Sequence, residues 1–373
     1  GTVTTGTTAG GVSGFKNGPG TTAKFNKPLG LATKSGGADI FVADSGNHCV
    51  RVLTTQMAGG LLFEVTTHAG TSKVGNVDGD KLTTATFSQP SDVAVSANGV
   101  YVVDSANKNI RLISGNNVTT VIKKTELIAP TSLAINAIGE LFVADGQQIH
   151  KVTKTKTGFS AQTIAGGIVA GIVDGFGAKA QFNQLYGIAL WPTDGLIVGD
   201  TSTKAKLSGL RAVIPTKSSC DDKDPCTVDS CNAVTGKCKH DKQNTCQGGT
   251  GCTAMQLSSG WTAKLVADGI NSPFGVAVNG NSDIYVAEYG AHKIRKVAVG
   301  TTAVVEWAGS KTSGKGNGLV AMASFSNPAG IAITKANVMY VVDSGNALIR
   351  KIDIASQQVS TIAGNGSGFA DGS

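Results

Sequence analysis

Aromatic side chains make up only 5% of this 373-residue chain and charged ones only 15%. No apolar run approaches the ~18 residues that a bilayer-crossing helix requires, and no stretch holds apolar residues at a sustained helical spacing. Lys and Arg outnumber Asp and Glu, 32 to 25, giving a formal charge of +7, but the lysines are scattered and never interleave with aromatics. A nucleic-acid groove needs that interleaving. The charge instead fits a solvated, mildly cationic surface, with attraction to an acidic polysaccharide as the sharper reading. Neither a membrane span nor a nucleic-acid partner is expected.

What the chain has in quantity is glycine, 50 residues, and with it turns. Residues 339–365, MYVVDSGNALIRKIDIASQQVSTIAGN, hold three short runs punctuated by Gly, Asn and Asp. Apolar and polar residues alternate within them, the pattern of half-buried antiparallel strands. FSNPAGIAIT just upstream adds a fourth run that opens at Pro328. This four-run unit recurs six times. The first run carries Ala32, Ala94, Ala134, Ala189, Ala277 and Ala332 at one place, a small residue suited to sheets converging on an axis. The second ends in an acid, at Asp44, Asp104, Asp145, Asp200, Glu288 and Asp343. The third holds Arg51, Arg111, His150, Arg211, Arg295 and Arg350. Six four-stranded sheets in succession predict an all-β, six-bladed propeller. Four of the six units are preceded by a longer loop whose Phe (Phe25, Phe87, Phe182, Phe325) reads as a plug against the neighbouring sheet. Units three and five lack it.

The succession F-x-x-P-x-G-[IL]-A, [LIV]-[YF]-V-A-D-S-G-N-H, [IV]-R-[KV]-[IL] and V-[ST]-T-[IL]-A-G resembles the NHL repeat, over about 330 residues. The resemblance implies a six-bladed propeller with blades in residues 1–215 and 261–373. Blade four departs most, being interrupted by residues 216–260. That insert holds six of the seven cysteines, Cys220, Cys226, Cys231, Cys238, Cys246 and Cys252, in an Asp- and Gly-rich setting. An even number so crowded reads as a disulfide knot, whose six cysteines allow 15 pairings, and places the protein outside the cytosol. The insert resembles C-D-D-x-x-P-C-T-x-D-S-C repeats of large secreted or cell-surface proteins, notably of bacteria. Residues 2–10 read like a fourth strand, although all six units already have one. Either the start closes the ring and the last strand is displaced, or the chain is a segment of a larger protein; the second is the expectation.

The acids that end each second run suggest an axial cation site, but a residue needed in every blade is better explained as capping its own turn through backbone N–H groups. The arginines are read the same way. NHL-like propellers include a zinc-dependent lyase, which implies converging histidines. Of the five here, His48 and His292 share one turn position, His150 replaces a repeat Arg, His68 lies in an outer strand and His240 in the insert, so no zinc site is expected. Lactonase-type propellers hold axial calcium, and no carboxylate breaks the repeat so as to mark such a site. In the insert, Asp221, Asp222, Asp224 and Asp229 are calcium candidates, with solvated charge as the simpler reading. Cys49 reads as an unpaired, partly buried thiol, or as a link between molecules. Asn117 and Asn365 fit the glycosylation sequon. The function expected is an extracellular interaction or scaffold module that binds a protein or glycan through its loop faces, without a cofactor. A secreted metal-dependent hydrolase or lyase and a filament subunit are the alternatives.

Overall fold

The structure is a computed structural model describing residues 13–34, 39–55, 63–156, 158–191, 195–202, 208–215, 260–310 and 312–364, with the backbone of two further strands, Thr227–Cys231 and Cys238–Lys242. Six antiparallel sheets follow one another, each built on four strands that succeed one another along the chain, with the insert hairpin intervening only before the last strand of the fourth sheet. The first strands are Pro28–Thr33, Pro90–Ser96, Pro130–Ile135, Leu185–Trp191, Pro273–Val278 and Pro328–Ile333. These pack blade against blade around the axis, and the sixth packs on the first, closing a six-bladed propeller. The fourth strands, Phe63–Ala69, Asn117–Ile122, Gly158–Ala165, Trp261–Asp268, Val304–Ala308 and Gln358–Ala363, form the rim. Besides the blades, the regular structure among the described residues is single 3-10 turns, short outer strands and one two-stranded hairpin.

Alternation makes each strand two-faced, and both faces of a blade meet another blade, so the core lies between sheets. Leu31, Ile40 and Leu53 of blade one bury against Tyr340, Val342 and Ile349 of blade six. Burying a side chain of this size stabilises by roughly 1.5–3 kcal/mol. The same joint carries a backbone bond from Gly364 N–H to Gly20 O, 3.0 Å. The last described strand, Gln358–Ala363, is the fourth strand of blade six and is not displaced; residues 2–10 lie outside the described residues.

The loop with the plug Phe adds a two-residue fifth strand to its own blade: Gly18–Pro19, Gly79–Asp80, Gly175–Phe176 and Gly318–Leu319 pair with the fourth strands of blades one, two, four and six. Blades three and five, which lack the loop, have four strands. In blade four, Pro215 at the end of the third strand pairs with Trp261 at the start of the fourth, so residues 216–260 leave and re-enter at the rim. Within them Thr227–Cys231 and Cys238–Lys242 form a hairpin that sets Cys231 opposite Cys238.

Candidate functional site

The repeated charges are spent on the blades. Asp44 Oδ1 accepts the N–H of Asn26 at 2.8 Å, while Oδ2 takes Arg51 at 3.0 Å and Asn47 at 2.8 Å. Asp104, Asp200, Glu288 and Asp343 accept the N–H of Ser88, Asn183, Asn271 and Ser326 in the same way. The cap therefore reaches the loop before the blade's first strand, not the turn that follows the acid as expected; that turn receives no side-chain cap bond. Burial pushes Asp44 and Asp200 up to about 6 despite their arginines. Arg51, Arg111, Arg211 and Arg350 each lie over a plug Phe, with 5.0–5.3 Å between guanidinium carbon and ring centroid. Those four Phe rings are fully buried. A second oxygen ligand comes from the loop: Asn17, Asp78, Asp174 and Asn317 bind the same guanidinium groups. Blades three and five, without loop or Phe, modify the pair. Blade three uses His150 with Asp145 at 3.0 Å, and blade five uses the longer Glu288 with Arg295 at 2.5 Å.

The histidines do not converge. His48 and His292 sit in the left-handed region, φ 55° and 59°, and their Nδ1 atoms accept the N–H of Gln89 and Asn327 from the next blade. They tie neighbouring blades together. His150 Nδ1 meets Thr163 at 3.2 Å. His68 packs edge-on against Phe41 at 4.8 Å, and burial lowers it to about 4. His240 belongs to a strand described by its backbone alone, as does Asp229; Cys220, Cys226, Cys246, Cys252, Asp221, Asp222, Asp224 and Asn365 lie outside the described residues. Asn117 is exposed at the start of a rim strand. Cys49 is fully buried rather than partly so, and burial pushes its thiol up to about 12. Closed off in this way, it cannot link molecules.

The axis carries what the repeat does not explain. A channel of about 310 Å³ is bordered by the first strands of all six blades. The second residue after the strand-opening Pro, or after its counterpart Leu185, is Gly30, Gly187, Gly275 or Gly330 in four blades. Each of these glycines is pressed against the backbone of the next blade, where a Cβ would strike Ser91, Phe274, Ala329 or Leu29. Blades two and three hold Asp92 and Ser132 there instead. The register is shared, Val93 pairing with Val102 and Leu133 with Val143 as Leu31 does with Val42, but in blades two and three pairing resumes one residue earlier, Asp92 with Val103 and Ser132 with Ala144. The side chains so admitted join, Ser132 Oγ donating to Asp92 Oδ2 at 2.5 Å. Asp92 is thus a carboxylate that departs from the repeat at the axis.

The mouth where the first strands begin is asymmetric. On blades two and three it is hydroxylic: Ser91 Oγ lies 2.6 Å from Ser105 Oγ and donates to Thr131 O at 2.7 Å. On blades four and five Tyr186, Phe274 and Tyr289 stack in a ladder, with centroids 5.0 and 5.4 Å apart and planes within 26° and 29°. All three are half-buried. Tyr289 stands where other blades have Ser45, Ser105 and Ser344, and Phe274 where they have Leu29, Ser91 and Ala329. Those substitutions were the available signal, visible only with the six units set side by side. As a metal centre the channel fits poorly: among the described residues no three His, Cys, Asp or Glu come together. One carboxylate with no imidazole satisfies neither tetrahedral zinc nor six-oxygen calcium. What the mouth offers is stacking surface, hydroxyls and one half-buried acid.

The comparisons agree with the fold. The chain has homologues among NHL repeat-containing proteins: it is 37% identical over 156 residues to NHL repeat-containing protein 2 of Bos taurus, covering 41% of this chain and 20% of that protein. It is 34% identical over 102 residues to the Gallus gallus protein, covering 27% and 13%. The matches thus span at most about a fifth of these relatives' own length. A structural genomics protein of unknown function from Bacteroides thetaiotaomicron superposes with a TM-score of 0.52 over 88% of this chain and 83% of its own, at 16% identity. Residues 219–242, within the insert, match a family described as a Dictyostelium (slime mold) repeat.

Proposed function

We propose that this propeller is an interaction module, the rigid part of a larger secreted or cell-surface protein, that binds its partner at the channel mouth. The observation that carries the reading is the ladder Tyr186–Phe274–Tyr289. Stacked aromatics left half-exposed at a concave site are what binding surfaces use and what an inert ring has no need of. The hydroxyls of the opposite arc supply polar complement to a protein or glycan partner. The cysteine-rich insert leaves the rim at Pro215 and returns at Trp261, so both its attachment points lie on the rim and not at the mouth. Extracellular placement rests on the even number of cysteines in that insert.

Panning tests this. A random peptide library and an oligosaccharide array are presented to the wild-type protein and to a triple variant, Tyr186→Ala, Phe274→Ala and Tyr289→Ala. Ligands retained by the wild type and lost by the variant are expected. Ligands retained equally by both, or none by either, would remove the mouth from the account.

A further inference from the structure

Asp92, half-buried, is the one charged side chain bordering the channel among the described residues, and it differs from the buried acids of the blades. Asp44, Asp104, Asp200, Glu288 and Asp343 each face an arginine, and Asp145 faces His150. Asp92 faces no cation. Its Oδ1 accepts the N–H of Val93 at 2.9 Å, and its Oδ2 accepts Ser132 Oγ at 2.5 Å and the N–H of Leu133 at 3.1 Å. An ionised carboxylate offers about four acceptor positions; here three are filled, and the charge has no counter-charge. The first strands packed on it from blades one and three carry no charged residue. On the second strands behind, Asp44 and Asp104 are engaged by Arg51 and Arg111, and Asp39 is at the far end of its strand. A partly buried charge without a counter-charge is unfavourable, and the side of Asp92 open to a pairing group is the channel.

We propose that the channel mouth takes a primary ammonium group, the end of a lysine side chain on a partner polypeptide, which pairs with Asp92 while its aliphatic stem lies against the rings of Tyr186 and Phe274. This rests on the mouth being the binding site and names the group that enters it. An ammonium suits the site better than a guanidinium, because one free acceptor position matches a compact point charge and not a planar fork that needs two parallel bonds. The half-buried rings of Tyr186 and Phe274, which border the channel, suit an aliphatic stem, and their electron-rich faces favour a cation approaching the mouth. Burial holds Asp92 up at about 6, so the carboxylate is ionised at neutral pH and neutralised in mild acid.

The probe is n-butylammonium chloride, with n-butanol as its uncharged counterpart, titrated into isotopically labelled protein at pH 7.5 and followed through the amide resonances of Val93 and Leu133. Saturable shifts are expected with the ammonium, at least tenfold weaker with the alcohol. They should also be at least tenfold weaker in Asp92→Asn, and weaker in the wild type at pH 5. If Asp92→Asn does not fold, Asp92→Gly, the residue of four other blades, takes its place. Equal binding of alcohol and ammonium, unchanged binding in the Asp92 variant, or no binding of either probe overturns the proposal. The mouth reading stands or falls separately: peptides lost by the Tyr186, Phe274 and Tyr289 variant but indifferent to Asp92 leave a binding mouth without an ammonium pocket.

Discussion

Ser132 donates a 2.5 Å hydrogen bond to Asp92, and both residues stand where the other four blades have glycine. In a ring whose remaining acids and arginines serve the blades that carry them, this pair is a local exception at the axis. The predictions below separate what holds the ring from what the ring presents.

The guanidinium of Arg111 combines Asp104, Asp78, two backbone carbonyls and the face of Phe87. Arg111→Met leaves Asp104 buried without its cation, an arrangement that costs on the order of 3–5 kcal/mol. Equilibrium urea unfolding is expected to show a loss of that size. Phe87→Leu, which keeps the charges and removes the stacked ring, is expected to cost less, about 1–3 kcal/mol. A near-zero effect of Arg111→Met would mean that the repeated pair is not structural.

Glycine at the axis is a packing requirement. A Cβ at Gly275 would strike the carbonyl oxygen of Ala329 in the next blade, so Gly275→Ala should wedge blades five and six apart. Overpacking of this kind costs roughly 1–3 kcal/mol. Asp92→Gly, the opposite exchange at the corresponding place, should leave the ring intact. Thermal melts of the two variants provide the comparison.

The pH dependence of stability follows from Asp92. Its carboxyl is raised from 3.8 to about 6 in the folded protein, so between those values the folded state holds a proton that the unfolded chain has released. Stability contributed by the protonated group is complete below about 4 and is lost as pH rises through about 6, up to ~3 kcal/mol for one buried group. Asp44 and Asp200, also raised to about 6, act in the same sense. The difference in unfolding free energy between wild type and Asp92→Asn should therefore move against the wild type from pH 4 to pH 6 and flatten above. A difference constant across that range would contradict the assignment.

The cysteines divide into two classes. Cys49, sealed with its thiol pushed up to about 12, should resist iodoacetamide until the chain unfolds. If the six insert cysteines form three disulfides, the intact mass before reduction lies about 6 Da below the reduced mass. Labelling of Cys49 in the native protein, or an unchanged mass, would oppose these two statements respectively.

Much of the fold was legible because every blade repeats its punctuation. The acid at the end of each second strand, the basic residue five to eleven positions on and the plug Phe mark strand ends in register, and the units lacking the Phe loop are the four-stranded ones. The capping partner was not legible: Asn26 lies 18 residues before Asp44, so nothing local to the turn reveals it. The site was hidden for the opposite reason. The recurrent acids stand out along the sequence, whereas Asp92 and Ser132 matter by departing from a column that is otherwise glycine, and Tyr289 from one that is otherwise serine, threonine or glycine. Their meeting at one mouth is set by ring closure, which spacing along the chain does not express.

The most direct test of a binding mouth is the dissociation constant of a panned peptide for three proteins: the wild type, the Tyr186, Phe274 and Tyr289 alanine variant, and a rim variant in which exposed Ile168 and Leu265 become serine. The account predicts binding at least tenfold weaker to the mouth variant and unchanged binding to the rim variant. The reverse order would place recognition at the rim beside the insert and contradict it.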